Sequence, residues 1–153
     1  MDDPGDDEAR LFATLPGEWA VERDLPGVGR MTGSARFTPA DQRMLHYRED
    51  GVLTLDDGRA LEVYREYHYR LEPGRIRICF AEPGPPRTFH VLRLHGAAAT
   101  DLHLCGQDTY EGTYEFPAPD RFTVRMRVTG PRKDYSTTTT YRRITGATAD
   151  PGR

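Results

Sequence analysis

Arg23 and Arg65, Glu49, and Tyr47, Tyr67 and Tyr69 stand at the same parity as the apolar residues around them. Trp19, Val21 and Leu25 alternate with Arg23. Leu45 leads into Tyr47 and Glu49, and Leu61, Val63 and Leu71 bracket Arg65, Tyr67 and Tyr69. Every second side chain of a strand shares a face, so these polar groups point where the apolar ones do. An unpaired charge in an interior is prohibitively costly, so such groups pair, meet water or hold a ligand. Guanidinium groups suit carboxylate, phosphate or enolate oxygens, and tyrosines build an amphipathic wall. Arg23 and Arg65 are therefore candidate anion ligands, with Tyr47, Tyr67 and Tyr69 beside them. The structural alternative pairs Arg23 with Glu49 and Arg65 with Asp108 near the ends of the fold.

A second set lies later in the chain. His90, Leu92 and Leu94 share one face, although Phe89 and Val91 compete for it. In Asp101-Leu102-His103-Leu104-Cys105, either the leucines or His103 and Cys105 point inward, and the next strand aims Asp108, Tyr110, Tyr114 and Phe116 one way. For acid/base chemistry, Glu49 or Asp108 is the candidate base, with His103 or a tyrosine as proton donor. His90, His103, Cys105 and Asp108 are metal-ligand types, but no standard metal spacing links them and no metal is expected. Cys105 beside a histidine is a conceivable nucleophile. His46, His68 and His95 fall on outward or loop positions and receive no role.

Lys133 is the single lysine among 21 basic residues. That arginine excess is what a GC-rich, bacterial genome produces, so arginines as a group carry no message. The surviving lysine in Gly130-Pro131-Arg132-Lys133-Asp134-Tyr135 reads either as a solvated hairpin charge or as a deprotonatable amine wanted at that point.

The elements that must position these groups form a meander. Asp6 to Leu15 reads as a short helix, with acids in its first turn and Leu11, Phe12 and Leu15 as its stripe, ended by Pro16-Gly17. Residues 1–16 are thus an acidic tail and helix, 17–145 the main domain, and 146–153 a loose, disordered tail. Between them, segments of 7–12 residues rich in Val, Tyr, Phe, Thr and Arg are closed by clusters such as Pro26-Gly27, Asp57-Gly58, Pro73-Gly74, Gly106-Gln107 and Gly130-Pro131. About ten strands result, and no crossover-length helix separates them, which excludes parallel packing. Asp50-Gly51 reads as a bulge. So many antiparallel strands curl, and closure removes their edges. The expected fold is all-β, one up-and-down antiparallel β-barrel with a short N-terminal helix; a two-sheet sandwich has the same periodicity.

At 153 residues, 37% hydrophobic and 29% charged, the chain is long enough for one cored domain. A net charge of −3 draws in neither phosphate backbones nor anionic lipid, so neither nucleic acid nor membrane is an expected partner. No apolar run reaches membrane-spanning length and the N-terminus is acidic, so a cytoplasmic protein is expected. Two cysteines, Cys79 and Cys105, cannot build a disulfide framework and read as free thiols. Phosphate-loop, nucleophile-elbow and dinucleotide-binding signatures are all missing, and no cofactor is expected.

Gly17-Glu18-Trp19 before the first strand and Arg142-Arg143 at the last resemble the Gly-x-Trp start and terminal arginine of calycin-type barrels, the lipocalins and their relatives. That resemblance implies an arginine packed over the tryptophan, closing one barrel end. Haem-binding calycin relatives carry an axial histidine near the final strand. Here that stretch is Thr137-Thr138-Thr139-Thr140-Tyr141, so the haem site is not carried over. The chain also resembles a family of small bacterial and fungal proteins with no assigned activity. The matching residues are Gly33-x-Ala35-x-Phe37, Tyr47-x-Glu49-x-Gly51, Arg65-x-Tyr67, Phe89-His90-x-Leu92, His103-x-Cys105-Gly106-x-Asp108-x-Tyr110 and Gly130 to Tyr135.

Three functions follow. The first is a binding barrel holding a small, anionic and partly aromatic metabolite through Arg23, Tyr47, Arg65, Tyr67, Tyr69, His90, Cys105, Tyr110 and Tyr114. The second is a cofactor-free acid/base enzyme of cyclase, isomerase or lyase type, with Glu49, His103, Asp108 and Lys133 as catalytic candidates; its precedent is an analogy of fold alone. The third is a structural barrel without a ligand. Neither oligomeric state nor substrate is written in the sequence.

Overall fold

The computed structural model describes residues 6–144; the tail expected at 146–153 lies outside them, as do residues 1–5. One helix, α1 (Asp6–Thr14), precedes ten strands: β1 (Gly17–Leu25), β2 (Gly29–Asp41), β3 (Met44–Leu55), β4 (Ala60–Glu72), β5 (Arg75–Phe80), β6 (Thr88–Leu92), β7 (Ala98–Cys105), β8 (Asp108–Ala118), β9 (Arg121–Thr129) and β10 (Asp134–Arg143). Every pairing is antiparallel, and β10 returns to β1, giving the order β6-β5-β4-β3-β2-β1-β10-β9-β8-β7. Strands β6 and β7 therefore meet as the two ends of one sheet. The fold is a nearly closed up-and-down barrel, not a sandwich.

The β6–β7 seam carries no ladder. Side chains bridge it: the Val91 N–H donates to the Asp101 carboxylate at 2.7 Å, and the Phe89 and His103 rings lie 5.3 Å apart. A backbone donor at a sheet edge needs a partner, and Asp101 supplies it.

One barrel end is shut by the helix and by an arginine. Phe12 and Leu15 are buried against Trp19, whose indole N–H donates to the Leu15 carbonyl at 3.0 Å. The Glu8 carboxylate accepts the Leu94 N–H at 2.7 Å, tying α1 across the opening. Arg143 lies over the Trp19 ring at 4.3 Å and donates to the Pro16 carbonyl at 3.0 Å and to the Thr14 carbonyl. Cation–π contact and carbonyl capping thus act through one side chain. Gly17, at φ 121°, turns the chain from helix into β1 in a conformation other residues rarely adopt.

The alternation of β1, β2 and β9 follows burial closely: Trp19, Val21 and Arg23, Met31, Ala35 and Phe37, and Phe122, Val124 and Val128 all face inward. Two local readings need correction. Asp50-Gly51 is not a bulge, because β3 stays in register with β2 from Gly29↔Leu55 through Pro39↔Leu45. Gly33 and Gly51 face each other where the strands close up, and a Cβ on Gly33 would come within 2.5 Å of the Gly51 Cα. A register shift does occur in the β5–β6 ladder, where Ile78 pairs with His90 but Cys79 pairs with Thr88. Phe89 is the extra residue, so Phe89 and His90 both turn inward and no longer compete for one face.

Candidate functional site

The end of the barrel opposite α1 opens into a cavity of about 420 Å³. Its mouth is set by Leu25, Phe80, Arg87, Cys105, Tyr110 and Tyr135, its walls by Arg65, Tyr67, Ile78, Phe89, Val124 and Met126, and its floor by Arg23, Tyr47, Tyr69, Tyr114 and Tyr141. That volume falls in the range of small-molecule sites.

Beneath the floor sits a closed polar network. Arg23 and Glu49 are 6% and 1% exposed. Two parallel bonds join them, Nη1 to Oε2 at 2.7 Å and Nη2 to Oε1 at 2.8 Å, while Arg23 Nε donates to Thr139 Oγ1 at 2.8 Å. The Tyr47 hydroxyl donates to Glu49 Oε1 at 2.5 Å, so in its 2.9 Å bond with Tyr141 it is the acceptor. Burial alone would raise the Glu49 pKa; the hydrogen bond and charge of Arg23, with Arg65 and Tyr47, outweigh it and hold Glu49 below its ordinary range. Burial likewise works against Arg23, and Glu49 reverses it, leaving Arg23 more firmly protonated than usual. Burial next to Tyr141 and Glu49 raises Tyr47 well above an ordinary phenol.

The structural pairing expected for Arg23 with Glu49 is present; that of Arg65 with Asp108 is not. Arg65 approaches Glu49 instead, Nε to Oε2 at 3.5 Å, and its side chain is 45% exposed in the cavity wall. Asp108 pairs with Lys133 at 3.1 Å, and Lys133 also donates to the Tyr110 hydroxyl at 2.9 Å. These contacts, Tyr110 first, raise the Lys133 pKa. The ammonium is kept charged, which is the reverse of what a base or Schiff-base amine requires. Lys133 and Asp108 sit at the rim and fix the Tyr110 side chain.

His90 does not reach the cavity. It is 0% exposed, behind Tyr114. Since the Tyr110 carbonyl only accepts, His90 Nε2–H is the donor at 3.0 Å, and Nδ1 takes the Tyr114 hydroxyl proton at 2.7 Å. Burial lowers the His90 pKa against the opposing pull of the Tyr110 carbonyl and Asp101, so the ring is a neutral strut. Gly112 lets it sit there, because a Cβ at that position would lie 2.6 Å from His90 Cε1. In β7 the alternative resolves: Leu102 and Leu104 are exposed outward, while His103 and Cys105 line the cavity. Cys79 is buried and both thiols are free. Among the described residues no group of three His, Cys, Asp or Glu side chains is arranged to hold a metal ion, and no helix is long and apolar enough to cross a membrane.

Of the residues expected at the site, Arg23, Tyr47, Arg65, Tyr67, Tyr69, His103, Cys105, Tyr110 and Tyr114 line the cavity, and Glu49, His90, Asp108 and Lys133 support it from behind or at the rim. Sequence reasoning missed Tyr141, Tyr135, Thr137 and Thr139, all on β10, and Arg87, which stacks on Phe80 at 4.5 Å and pairs with Glu82 at 2.8 Å. The β10 signal was hidden because Thr137 to Thr140 repeat one residue type on both faces.

Among curated proteins, none matches the chain in sequence. Solved structures do match in shape. An S-type phycobiliprotein lyase, CPES from Guillardia theta, superposes with a TM-score of 0.65 at 9% identity, over 90% of this chain and 92% of that one. EF1p2_mFAP2b bound to DFHBI gives 0.50 at 17% identity, over 89% and 98%. A de novo designed fluorescence-activating β-barrel gives 0.49 at 17%, over 94% and 100%. The first two likenesses, at such identities, speak for the barrel fold alone. The sequence itself matches one family model from residue 15 to residue 143, nearly the whole described barrel, and the chain belongs to that family, a family of unknown function (DUF6314).

Proposed function

We propose that this barrel binds a small, anionic and partly aromatic molecule in its cavity, with Arg65 as the counter-ion. The charge balance of the cavity carries the reading. Arg23 is neutralised by Glu49, Arg87 by Glu82 and Lys133 by Asp108, whereas Arg65 only shares a carboxylate that Arg23 already holds. One cation is therefore in excess beside an aromatic-lined space, and a guanidinium there favours an oxygen anion. Tyr67 and Phe89, both on the cavity lining, lie 5.6 Å apart and within 7° of parallel, and a planar body can extend that stack. EF1p2_mFAP2b, a neighbour in fold, is bound to DFHBI, which supports small-molecule binding in general terms. Catalysis is less favoured: Glu49 accepts four donors or cations already, and Lys133 stays protonated.

Native mass spectrometry of the protein purified from its own host tests this. The wild type is expected to carry a small molecule that Arg65→Ala loses while its melting temperature stays put. Equal retention, or identical binding isotherms for the recovered molecule, would overturn the assignment.

A further inference from the structure

The floor of the cavity has an unequal supply of donors and acceptors. Tyr141 gives its proton to Tyr47, Tyr47 to Glu49, and Tyr114 to His90. Glu49 lies beneath the floor, and Arg23, Tyr47 and Arg65 occupy both its oxygens. Tyr69 differs. It is 8% exposed, it lines the cavity, and among the described residues its hydroxyl has no hydrogen-bond partner, yet it is not sealed off from the cavity space. Burial holds that phenol well above its ordinary pKa, so it stays a donor. Facing the cavity with its proton uncommitted, this hydroxyl is free to donate to an acceptor placed there. Arg65, on the same face of β4, adds further donors and positive charge.

We propose that the cavity takes its ligand oxygen first: a conjugated acceptor such as an ionised phenol, enol or aromatic carboxylate, seated on the Tyr69 hydroxyl and the Arg65 guanidinium with its ring against Tyr67 and Phe89. This rests on the binding reading above and adds an orientation and a chemical class. Amine and ammonium heads of the same size are excluded, since they would bring donors and positive charge to a floor that already has both.

Three fluorescent probes of one shape test it: 2-naphthoate, methyl 2-naphthoate and 2-naphthylmethylammonium, titrated against wild type, Tyr69→Phe and Arg65→Gln. Naphthoate should bind tightest and the ammonium weakest. Tyr69→Phe, which removes only an unpartnered hydroxyl, should leave the melting temperature unchanged and weaken naphthoate about tenfold or more, with little effect on the ester. Arg65→Gln should erase the preference for naphthoate over the ester. Equal affinity for all three probes, or naphthoate binding unaffected by Tyr69→Phe, would overturn the orientation and leave the binding reading standing. Failure of every probe to bind would overturn both.

Discussion

Arg23 on β1 and Glu49 on β3 are joined by two bonds of 2.7 and 2.8 Å although they are not in the same row of the sheet. Arg23 is registered with Met31 and Leu53, Glu49 with Ala35 and Trp19; the row between them is Val21, Gly33 and Gly51. The space beside Gly51 is taken by the Met31 side chain and that beside Gly33 by the backbone of β3, so the guanidinium reaches past this row on the length of its own side chain. The pair is thus made across one row of the sheet, not by neighbouring positions in a ladder.

Removing one partner of this pair leaves a buried charge alone. Glu49→Leu or Arg23→Met should destabilise the barrel by about 3–5 kcal/mol, read from urea denaturation midpoints. The double replacement Arg23→Met with Glu49→Leu should cost less than the two single effects added together. Additive losses would mean that the two groups do not sense each other.

Stability should fall in two steps on acidification. His90 is held below its ordinary value of 6.5 by burial, so just below that pH the unfolded chain binds a proton that the folded barrel refuses, and stability drops as pH falls. Glu49 is held below its ordinary 4.5, which adds a second loss of the same sign at lower pH. His68 on the outer face is also lowered, by burial and by His46 and Arg70. Denaturation midpoints from pH 7 to pH 5 should therefore flatten more in His90→Gln than in the control His68→Gln. An unchanged slope in His90→Gln would remove His90 from the account.

Much of this was legible beforehand. Period-two burial in β1, β2 and β9 and the turn dipeptides between strands follow from local rules that the sequence obeys, and the Trp19–Arg143 closure is what the resemblance to calycin-type barrels implies. The Arg23–Glu49 pairing was legible as the structural alternative, whereas the partner of Arg65 was not, because Arg65 turns to Glu49 rather than Asp108. The bulge that rotates both Phe89 and His90 inward is a backbone event with no residue signature there, and Gly51 is explained by close strand approach, which one strand's own pattern does not reveal. The protonation of Lys133 depends on Asp108 and Tyr110, brought near it from β8.

Gly112 is closely packed behind the cavity. A methyl there would lie 2.6 Å from His90 Cε1 and 2.9 Å from Tyr114 Cε1, and neither ring can retreat without breaking the bond between them. Gly112→Ala should destabilise by about 1–3 kcal/mol. It should also free the Tyr114 hydroxyl, visible as a change in tyrosine absorbance. A variant as stable as wild type would show that the His90 strut is loose.

The single lysine makes its own reporter. The only amines in the sequence are Lys133 and the chain's own N-terminus, so an amine-reactive acylating reagent yields at most two adducts, separable by peptide mass spectrometry. Acylation needs the neutral amine, and the Tyr110 hydroxyl and Asp108 carboxylate hold Lys133 as the ammonium. At mildly alkaline pH, Lys133 should label more slowly than a lysine of a denatured control although its side chain is 41% exposed. Asp108→Asn should speed that labelling and leave the N-terminal adduct unchanged. Fast labelling of wild-type Lys133 would mean that the rim contacts do not hold the proton, and would bring the amine back as a candidate base at the mouth of the cavity.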